Sequence, residues 1–379
     1  MKYINPNEYG SLLFDDKEEN AIISVLKNDK IFRYAENKLS KVDEFELMLK
    51  KYVNSKYALG VTNGTSGLIT SLVGCEIKPG DRVLISSYTF LATALAVKSL
   101  DAIPIPIDID LNHGLNLEDL ETELKKGCKA VIVVQLQGRC FDLKKVLDLT
   151  HKYGAILIED SCQAFGAKNE EKYSGTIGDI GVYSFQQFKQ ITCGEGGAIV
   201  TDNKDYYIRM RNYTDMGSER NLFPNWNGNS VLFGQNYRMN NISGAILCEQ
   251  IKKMDIIIEK QTESRDYILD KVFSNKIINS VYPLGDTAMN ILLLLESPED
   301  YENIKIEGKK RNIEIRRMWN DVYYENNLFK LNYLTDVDLK GKECNITKEL
   351  ISKLAVISIP PILSKEDCDK IIKFINNYC

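Results

Sequence analysis

The residues best placed to do chemistry are Lys189 and Asp160, 29 positions apart. Asp160 follows the apolar, strand-length run Ala155-Ile156-Leu157-Ile158 and lies in Glu159-Asp160-Ser161-Cys162-Gln163-Ala164. Lys189 stands in Ser184-Phe185-Gln186-Gln187-Phe188-Lys189-Gln190-Ile191-Thr192-Cys193, just before Gly194-Glu195-Gly196-Gly197. A carboxylate at the end of a buried strand, then a lone lysine among small and polar residues, suits a cofactor that needs an acid partner and an amine tether. Pyridoxal phosphate (PLP) is such a cofactor: a lysine forms its Schiff base and an aspartate pairs with its pyridinium nitrogen. Taken singly, Lys189 reads as a surface lysine and Asp160 as a helix cap. The pair in this setting carries the argument.

The scarcity of histidine narrows the alternatives. His113 and His151 are the only two, and serine or cysteine triads and most zinc sites need histidine at particular places. Both read as structural, so no metal site is expected and proton transfer falls to lysine, carboxylate or tyrosine. The 379 residues suggest two or so domains, with 44% apolar and 27% charged residues as in an ordinary globular protein. A net charge of −5 without a long basic run gives no nucleic-acid footprint. Ile291–Leu295 is too short to span a bilayer, and Met1–Pro6 lacks a signal-peptide core. Nine cysteines with no C-x-x-C pair point to reduced thiols and a cytoplasmic location.

The elements that must position Asp160 and Lys189 follow from hydrophobic periodicity. Residues 16–27 read as a helix through Ala21, Ile22, Val25 and Leu26. Ser40 and Asp43 form a capping box ahead of a second helical face, Val42, Phe45, Leu49, Tyr52 and Val53. Tyr57–Thr62 is a short strand that breaks at Asn63–Gly67, and Leu68–Val73 opens a helix. Strands at Arg82–Ser86, Ile103–Ile107, Ala130–Gln135 and Ala155–Asp160 then alternate with helical patterns near 90–100, 117–125 and 142–153. This is the signature of an α/β fold, a mainly parallel, doubly wound sheet covered on both faces. Ile180–Phe185 and Gly197–Thr201 enclose the lysine, their short spacing permitting an antiparallel step at the sheet edge.

Composition shifts after about residue 245, so we read residues 1–248 as a large domain and 249–379 as a smaller C-terminal α+β domain. The latter has a helical stretch over 250–275, strand-like runs at Ile277–Tyr282, Met289–Leu295, Ile313–Arg317 and Val356–Ile359, and a closing helix near 365–377.

Open parallel sheets bind ligands at the carboxyl ends of their strands. Gly64-Thr65-Ser66, Asp160 and Ser184 all fall at such ends. A helix opening at Gly64 presents free N–H groups to a phosphate. A dinucleotide-dependent oxidoreductase would suit the sheet, but G-x-G-x-x-G is missing because Gly60, Gly64 and Gly67 have the wrong spacing. A non-catalytic, ligand-sensing regulator would need no intact Asp160, Gln163 and Lys189.

Asp160-Ser161-Cys162-Gln163-Ala164-Phe165-Gly166-Ala167, Gly178-Asp179-Ile180, and Ser184-Phe185 with Lys189 and Gly194-Glu195-Gly196-Gly197 resemble the DegT/StrS-type sugar aminotransferases. The likeness runs from Phe32-Arg33-Tyr34 to Ile359–Leu363. It implies a fold of the aspartate-aminotransferase type (fold type I) and a PLP cofactor. Lys189 would form the internal aldimine and act as proton-transfer base, and Asp160 would pair with the ring nitrogen. Gln163 would bond the phenolic oxygen and Phe90 would stack on the ring. Gly64, Thr65, Ser66 and Ser184 would bind the phosphate, together with Asn236 reaching across from a neighbouring subunit of a homodimer. Related sugar dehydratases carry histidine where this chain has Lys189, which argues for transamination, with L-glutamate or L-glutamine as donor and a keto sugar, keto cyclitol or small keto-polyol as acceptor. Two departures stand out: Val134-Gln135-Leu136-Gln137-Gly138-Arg139 lacks the family's frequent histidine, and bulky Phe188 precedes the lysine. Neither is expected to touch the cofactor anchors. Acceptor residues are expected from loops around 4–12, 31–35, 213–232 and 318–335.

Overall fold

The computed structural model describes residues 8–28, 30–34, 38–110, 114–218, 232–277, 285–325 and 342–379. His113, the segment 219–231 and parts of the expected acceptor loops and of the Ile277–Tyr282 run lie outside them.

The chain enters through helices α1 (Asp16–Asn28) and α2 (Lys41–Val53), the latter started by the Ser40–Asp43 capping box that its sequence predicts. Then follow β1 (Tyr57–Val61), α3 (Gly64–Gly74), β2 (Arg82–Ser86), α4 (Leu91–Lys98), β3 (Ile103–Ile107), α5 (Leu117–Lys125), β4 (Ala130–Val134), α6 (Lys144–Lys152) and β5 (Ile156–Asp160). A small hairpin, β6 (Lys168–Asn169) and β7 (Lys172–Tyr173), precedes β8 (Ile180–Ser184) and β9 (Gly197–Thr201). Helices α7 (Lys204–Thr214), α8 (Asn241–Gln250) and α9 (Met254–Leu269) lead to β10 (Asn290–Leu294) and α10 (Pro298–Lys310), and the chain ends in the helix Asn345–Ser352, β11 (Leu354–Ser358) and the helix Lys365–Tyr378.

Seven strands form one sheet in the order β1-β9-β8-β5-β4-β2-β3. Every neighbour pair is parallel except those of β9, which runs antiparallel to β1 and to β8. The antiparallel step therefore lies one strand inside the edge, and β1 closes the sheet beyond it. Period-two alternation sorts the apolar side chains onto two faces. Val83, Ile85, Ile132, Ile158 and Val182 pack with Leu68 and Leu72 of α3. Leu84, Val131, Val133 and Leu157 pack with Leu120 and Leu124 of α5 and Val146 of α6. With both faces covered, β4 and β8 are buried along their whole length.

Periodicity locates most of the large sheet but misses four helices, α7, α8, α10 and Asn345–Ser352, and the apolar run alone would start α3 at Leu68, four residues late. The α3 start is set by a polar turn, Asn63 capping Ser66, rather than by the apolar stripe. In α10 a second such turn, Ser297 with Asp300, does the same work.

The smaller part of the fold pairs β10 with β11, extended by single bridges at Ile277–Leu293 and Arg316–Val356. Its core joins Ile291, Leu293, Ala355 and Ile357 to Tyr301, Ile304, Ile371, Phe374 and Ile375. Helix α9 links the two cores: Met254 and Ile257 pack with Phe45 and Phe185, whereas Ile268 packs with Ile291 and Leu293. Among the described residues no helix is long and apolar enough to cross a membrane.

Candidate active site

The first turn of α3 builds one wall. Asn63 Oδ1 accepts from Ser66 N (2.8 Å), and Ser66 Oγ accepts from Asn63 N (3.1 Å) and lies 2.9 Å from Thr62 Oγ1. Ser66 thus turns its hydroxyl inward to shape the turn. The Gly64 and Thr65 amides and the half-buried Thr65 hydroxyl remain for an anion, as the opening N–H groups of a helix lack intrahelical partners. Gly64 is where α3 meets two other strand ends. A Cβ there would stand 2.8 Å from Cys162 Sγ and 3.0 Å from Ser184 Cβ, so only glycine lets the ends of β1, β5 and β8 approach this closely.

Asp160, 4% exposed, ends β5. Its Oδ2 accepts from Thr93 Oγ1 (2.8 Å) and its Oδ1 from Cys162 N (3.3 Å), while Thr93 lies 2.8 Å from the Thr89 hydroxyl. Alternation sends the preceding Glu159 to the opposite face. There it accepts from Gly175 N, Ile177 N, Gly178 N and Gln135 Nε2 at 2.6–3.0 Å. Burial raises the Glu159 carboxyl above its ordinary range against the pull of those donors. One acid is thus fully enclosed by structural donors, and its neighbour keeps an edge toward the α4 side.

Lys189 sits in a turn whose backbone is fixed at both ends. Lys189 N donates to Gln186 O (2.9 Å), Gly10 N donates to Lys189 O (3.3 Å), and Gln187 N donates to Gly194 O (2.9 Å). Its side chain is half-buried beside the Asp160 end of β5. The Cys162 thiol feels both: burial and the Asp160 carboxylate push its pKa up, while the Lys189 ammonium opposes them.

Gln163 has its side-chain oxygen buried with no hydrogen-bond partner among the described residues. Its backbone carbonyl accepts from Gly138 N at 2.7 Å. This corrects one expectation, because the unusual Gln137-Gly138-Arg139 segment does touch Gln163, a residue expected to anchor the cofactor. The contact depends on two left-handed residues, Gln137 (φ 57°) and Gly138 (φ 80°), and a Cβ at Gly138 would collide with Thr287. Phe90, 57% exposed at the start of α4, presents an open ring whose centroid lies 6.4 Å from that of Trp319; Trp319 also packs edge-on against Tyr88 at 5.0 Å.

Asn236 is exposed. Its backbone bridges Asp215, the next carbonyl (Tyr237) accepts from Thr62 N at 3.0 Å, and Arg238 bridges Val61 and ion-pairs with Asp215. The Phe32-Arg33-Tyr34 element braces that segment. Tyr34 donates to Asp215 Oδ2 (2.6 Å), and Phe32 lies under the Arg238 guanidinium (5.4 Å). Buried Arg33 is held by Asp43 and Glu46 at 2.9 and 3.0 Å.

Sequence reasoning missed Thr93 and Trp319. Thr93 had a faint signal, a hydroxyl four residues after Thr89 in an otherwise apolar helix; Trp319 had none.

Pyridoxal phosphate fits this set. The first-turn amides of α3 at Gly64 and Thr65 lie beside Ser184 and can meet a phosphate, the unpartnered Gln163 side-chain oxygen can accept from a ring hydroxyl, and Asp160 and Phe90 offer an acid and an open aromatic face.

Residues 13–376 match the DegT/DnrJ/EryC1/StrS aminotransferase family. A GDP-perosamine synthase of Escherichia coli O157:H7 is 30% identical over 74% of this chain and 77% of its own length. An L-glutamine:scyllo-inosose aminotransferase of Streptomyces griseus is 29% identical over 60% of this chain and 56% of its own. Among solved structures, an E. coli GDP-4-keto-6-deoxy-D-mannose-3-dehydratase with bound hydrated PLP superposes with a TM-score of 0.85 at 23% identity, covering 96% of this chain and 97% of that one. With the match extending over nearly the whole sequence, the chain belongs to the DegT/DnrJ/EryC1/StrS family and is a PLP-dependent aminotransferase.

Proposed function

We propose that this aminotransferase exchanges the amino group of L-glutamate or L-glutamine for the carbonyl oxygen of a keto sugar, keto cyclitol or small keto-polyol, phosphorylated or free. The donor leaves as its keto acid and the acceptor as an amine. Lys189 tethers the cofactor, and its Nζ, once released, removes the proton from the donor's amino-bearing carbon. The bound PLP supplies the electron sink for that removal. Asp160 holds the ring nitrogen protonated, Thr93 fixes the orientation of Asp160, and Gln163 meets the phenolic oxygen. Gly64, Thr65, Ser66 and Ser184 hold the phosphate, Ser66 through the turn that it shapes, while Phe90 covers one ring face.

The observation that supports this most is the meeting of Gly64, Cys162 and Ser184 from three strand ends, with Lys189 beside Cys162 and Asp160. The E. coli and Streptomyces relatives support a nucleotide sugar and a cyclitol, respectively, as acceptor classes. Keto acceptors of these classes, each assayed with glutamate and glutamine for amine product, test the reading. Protein that takes up PLP on Lys189 yet aminates none of them with either donor would defeat it.

We propose further a cytoplasmic homodimer of subunits divided at residues 248/249, with Asn236 of each subunit reaching the phosphate bound by the other. Mixing inactive Lys189→Ala with Asn236→Asp tests the shared site. Random exchange makes half the dimers mixed, each with one intact site, so about a quarter of the activity should return. No recovery after demonstrated exchange would place Asn236 in its own subunit's structure only.

A further inference from the structure

The turns that carry Lys189 and Gln163 are both tied to one end of the small sheet. Gln190, next to Lys189 and buried, donates from Nε2 to Gln261 Oε1 (3.0 Å). Gln261, fully enclosed in α9, donates from Nε2 to the carbonyl of Ile359 (2.7 Å), just past the end of β11. Ile359 N donates to the carbonyl of Met289 (2.8 Å), the residue before β10. Two residues earlier, Thr287 N donates to the carbonyl of Gly138 (2.8 Å), and Gly138 N donates to the carbonyl of Gln163 (2.7 Å). A path of hydrogen bonds thus runs from the residue after the lysine, through the sheet end, to the backbone of Gln163.

Packing alone would be served by apolar residues at Gln190 and Gln261. Gln261 lies one turn after Ile257, which packs with Phe45 and Phe185, and two turns before Ile268, which packs with Ile291. Burying an amide costs free energy unless it is hydrogen-bonded, and what the bonds add over apolar contact is direction. Direction matters under Lys189, because a flexible four-carbon stem is aimed only as well as the backbone beneath it is fixed. On the other side of the turn, a Cβ on Gly10 would stand 2.7 Å from Gln190 O, so the entry segment already closes tightly there. Between Thr287 and Met289 stands buried Ala288 with a left-handed φ of 53°. Outside glycine that conformation is costly, and it persists where the surroundings over-determine it.

We propose that Gln261 is a positioning residue that, through Gln190 and Ile359, fixes the lysine turn against the small sheet and so holds Lys189 and Gln163 at one spacing. The inference rests on the reading of Lys189 as the cofactor's tether. The test compares wild type with Gln261→Met, Gln190→Met and the double variant, methionine being close to glutamine in shape. Melting temperature, hydrogen exchange of peptides spanning residues 186–192 with and without PLP, and the pH midpoint of the bound cofactor's absorbance without substrate are measured beside turnover. Gln261→Met should melt lower than wild type, because it takes the partners from the Gln190 amide and the Ile359 carbonyl. The double variant should recover part of that loss, since replacing both members of a bonded pair by apolar groups of the same shape is nearly neutral. Exchange in the lysine turn should nevertheless stay about tenfold faster than in wild type in both variants. The absorbance midpoint should stay moved by about half a pH unit or more, a threefold change in the proton equilibrium. Turnover should stay about ten- to a hundredfold lower, as for a misplaced reacting group, with the donor concentration for half-maximal rate within about threefold of wild type. A double variant whose exchange, midpoint and turnover recover together with its melting temperature would overturn the proposal by making the pair structural only. Wild type without a borohydride-stable PLP adduct on Lys189 would defeat the tether reading and the proposal with it. An adduct on Lys189 with wild-type exchange and midpoint in every variant would defeat the positioning role alone.

Discussion

The proposed cofactor side and substrate side of the site are built on different principles. On the cofactor side, Gly64, Asp160 and Ser184 each sit at or just past a strand end, and the sheet register brings those ends together. On the proposed substrate side, Trp319 comes from an irregular stretch after α10. It is not positioned by a repeat that the chain displays. The cofactor side is therefore determined by backbone geometry and tolerates little change, whereas the substrate side depends on individual side chains and can be altered piecemeal.

That contrast can be broken most sharply at Lys189. Lys189→Ala should fold normally and lose at least about a thousandfold in turnover, near 4 kcal/mol of barrier, because both the tether and the base go at once. Steady-state assays, with mass spectrometry after borohydride reduction, check this. Retained turnover with a reduced adduct on another lysine would remove Lys189 from the mechanism.

Asp160→Asn should keep its fold and its cofactor and lose about a hundredfold in turnover, since an amide cannot hold the ring nitrogen protonated. Near-normal turnover at full cofactor occupancy would reduce Asp160 to a strand-end cap.

Gly64→Ala probes the backbone side of the comparison directly. The added methyl would meet Cys162 Sγ at 2.8 Å and Ser184 Cβ at 3.0 Å, so one wall must shift. We expect PLP affinity to fall about tenfold with the melting temperature of the apoprotein little changed. A titration giving wild-type affinity would mean that the phosphate lies elsewhere.

The mildest change is Thr93→Val, which removes the 2.8 Å donor to Asp160 while keeping the shape. Turnover should fall about three- to tenfold with an altered pH profile, and Thr93→Ser should restore both, since a typical hydrogen bond contributes roughly 0.5–1.5 kcal/mol net. A loss of stability without a change in the profile would make Thr93 a packing residue.

Legibility followed the same division. The strands holding Asp160 and Ser184 were readable because buried strands are apolar runs with abrupt polar ends, and the Ser40 cap because its partner lies three residues away. The later helices were not, because α7 is rich in tyrosine and arginine and α10 in charge, so neither shows a clean apolar stripe. Ser66 was assigned to the phosphate from its position, and only the atoms show that its hydroxyl belongs to the turn.

By itself the sequence determined the alternation of strands and helices and the family pattern, and it singled out the lysine and aspartate proposed for the site. These depend on short-range periodicity and on residue types that the chemistry cannot replace. Tertiary structure alone decided that β9 runs antiparallel inside the edge and that the Gln137–Arg139 turn touches Gln163. Those contacts join residues tens to hundreds of positions apart, and they exist only once the sheet and the packed helices have fixed where each segment ends.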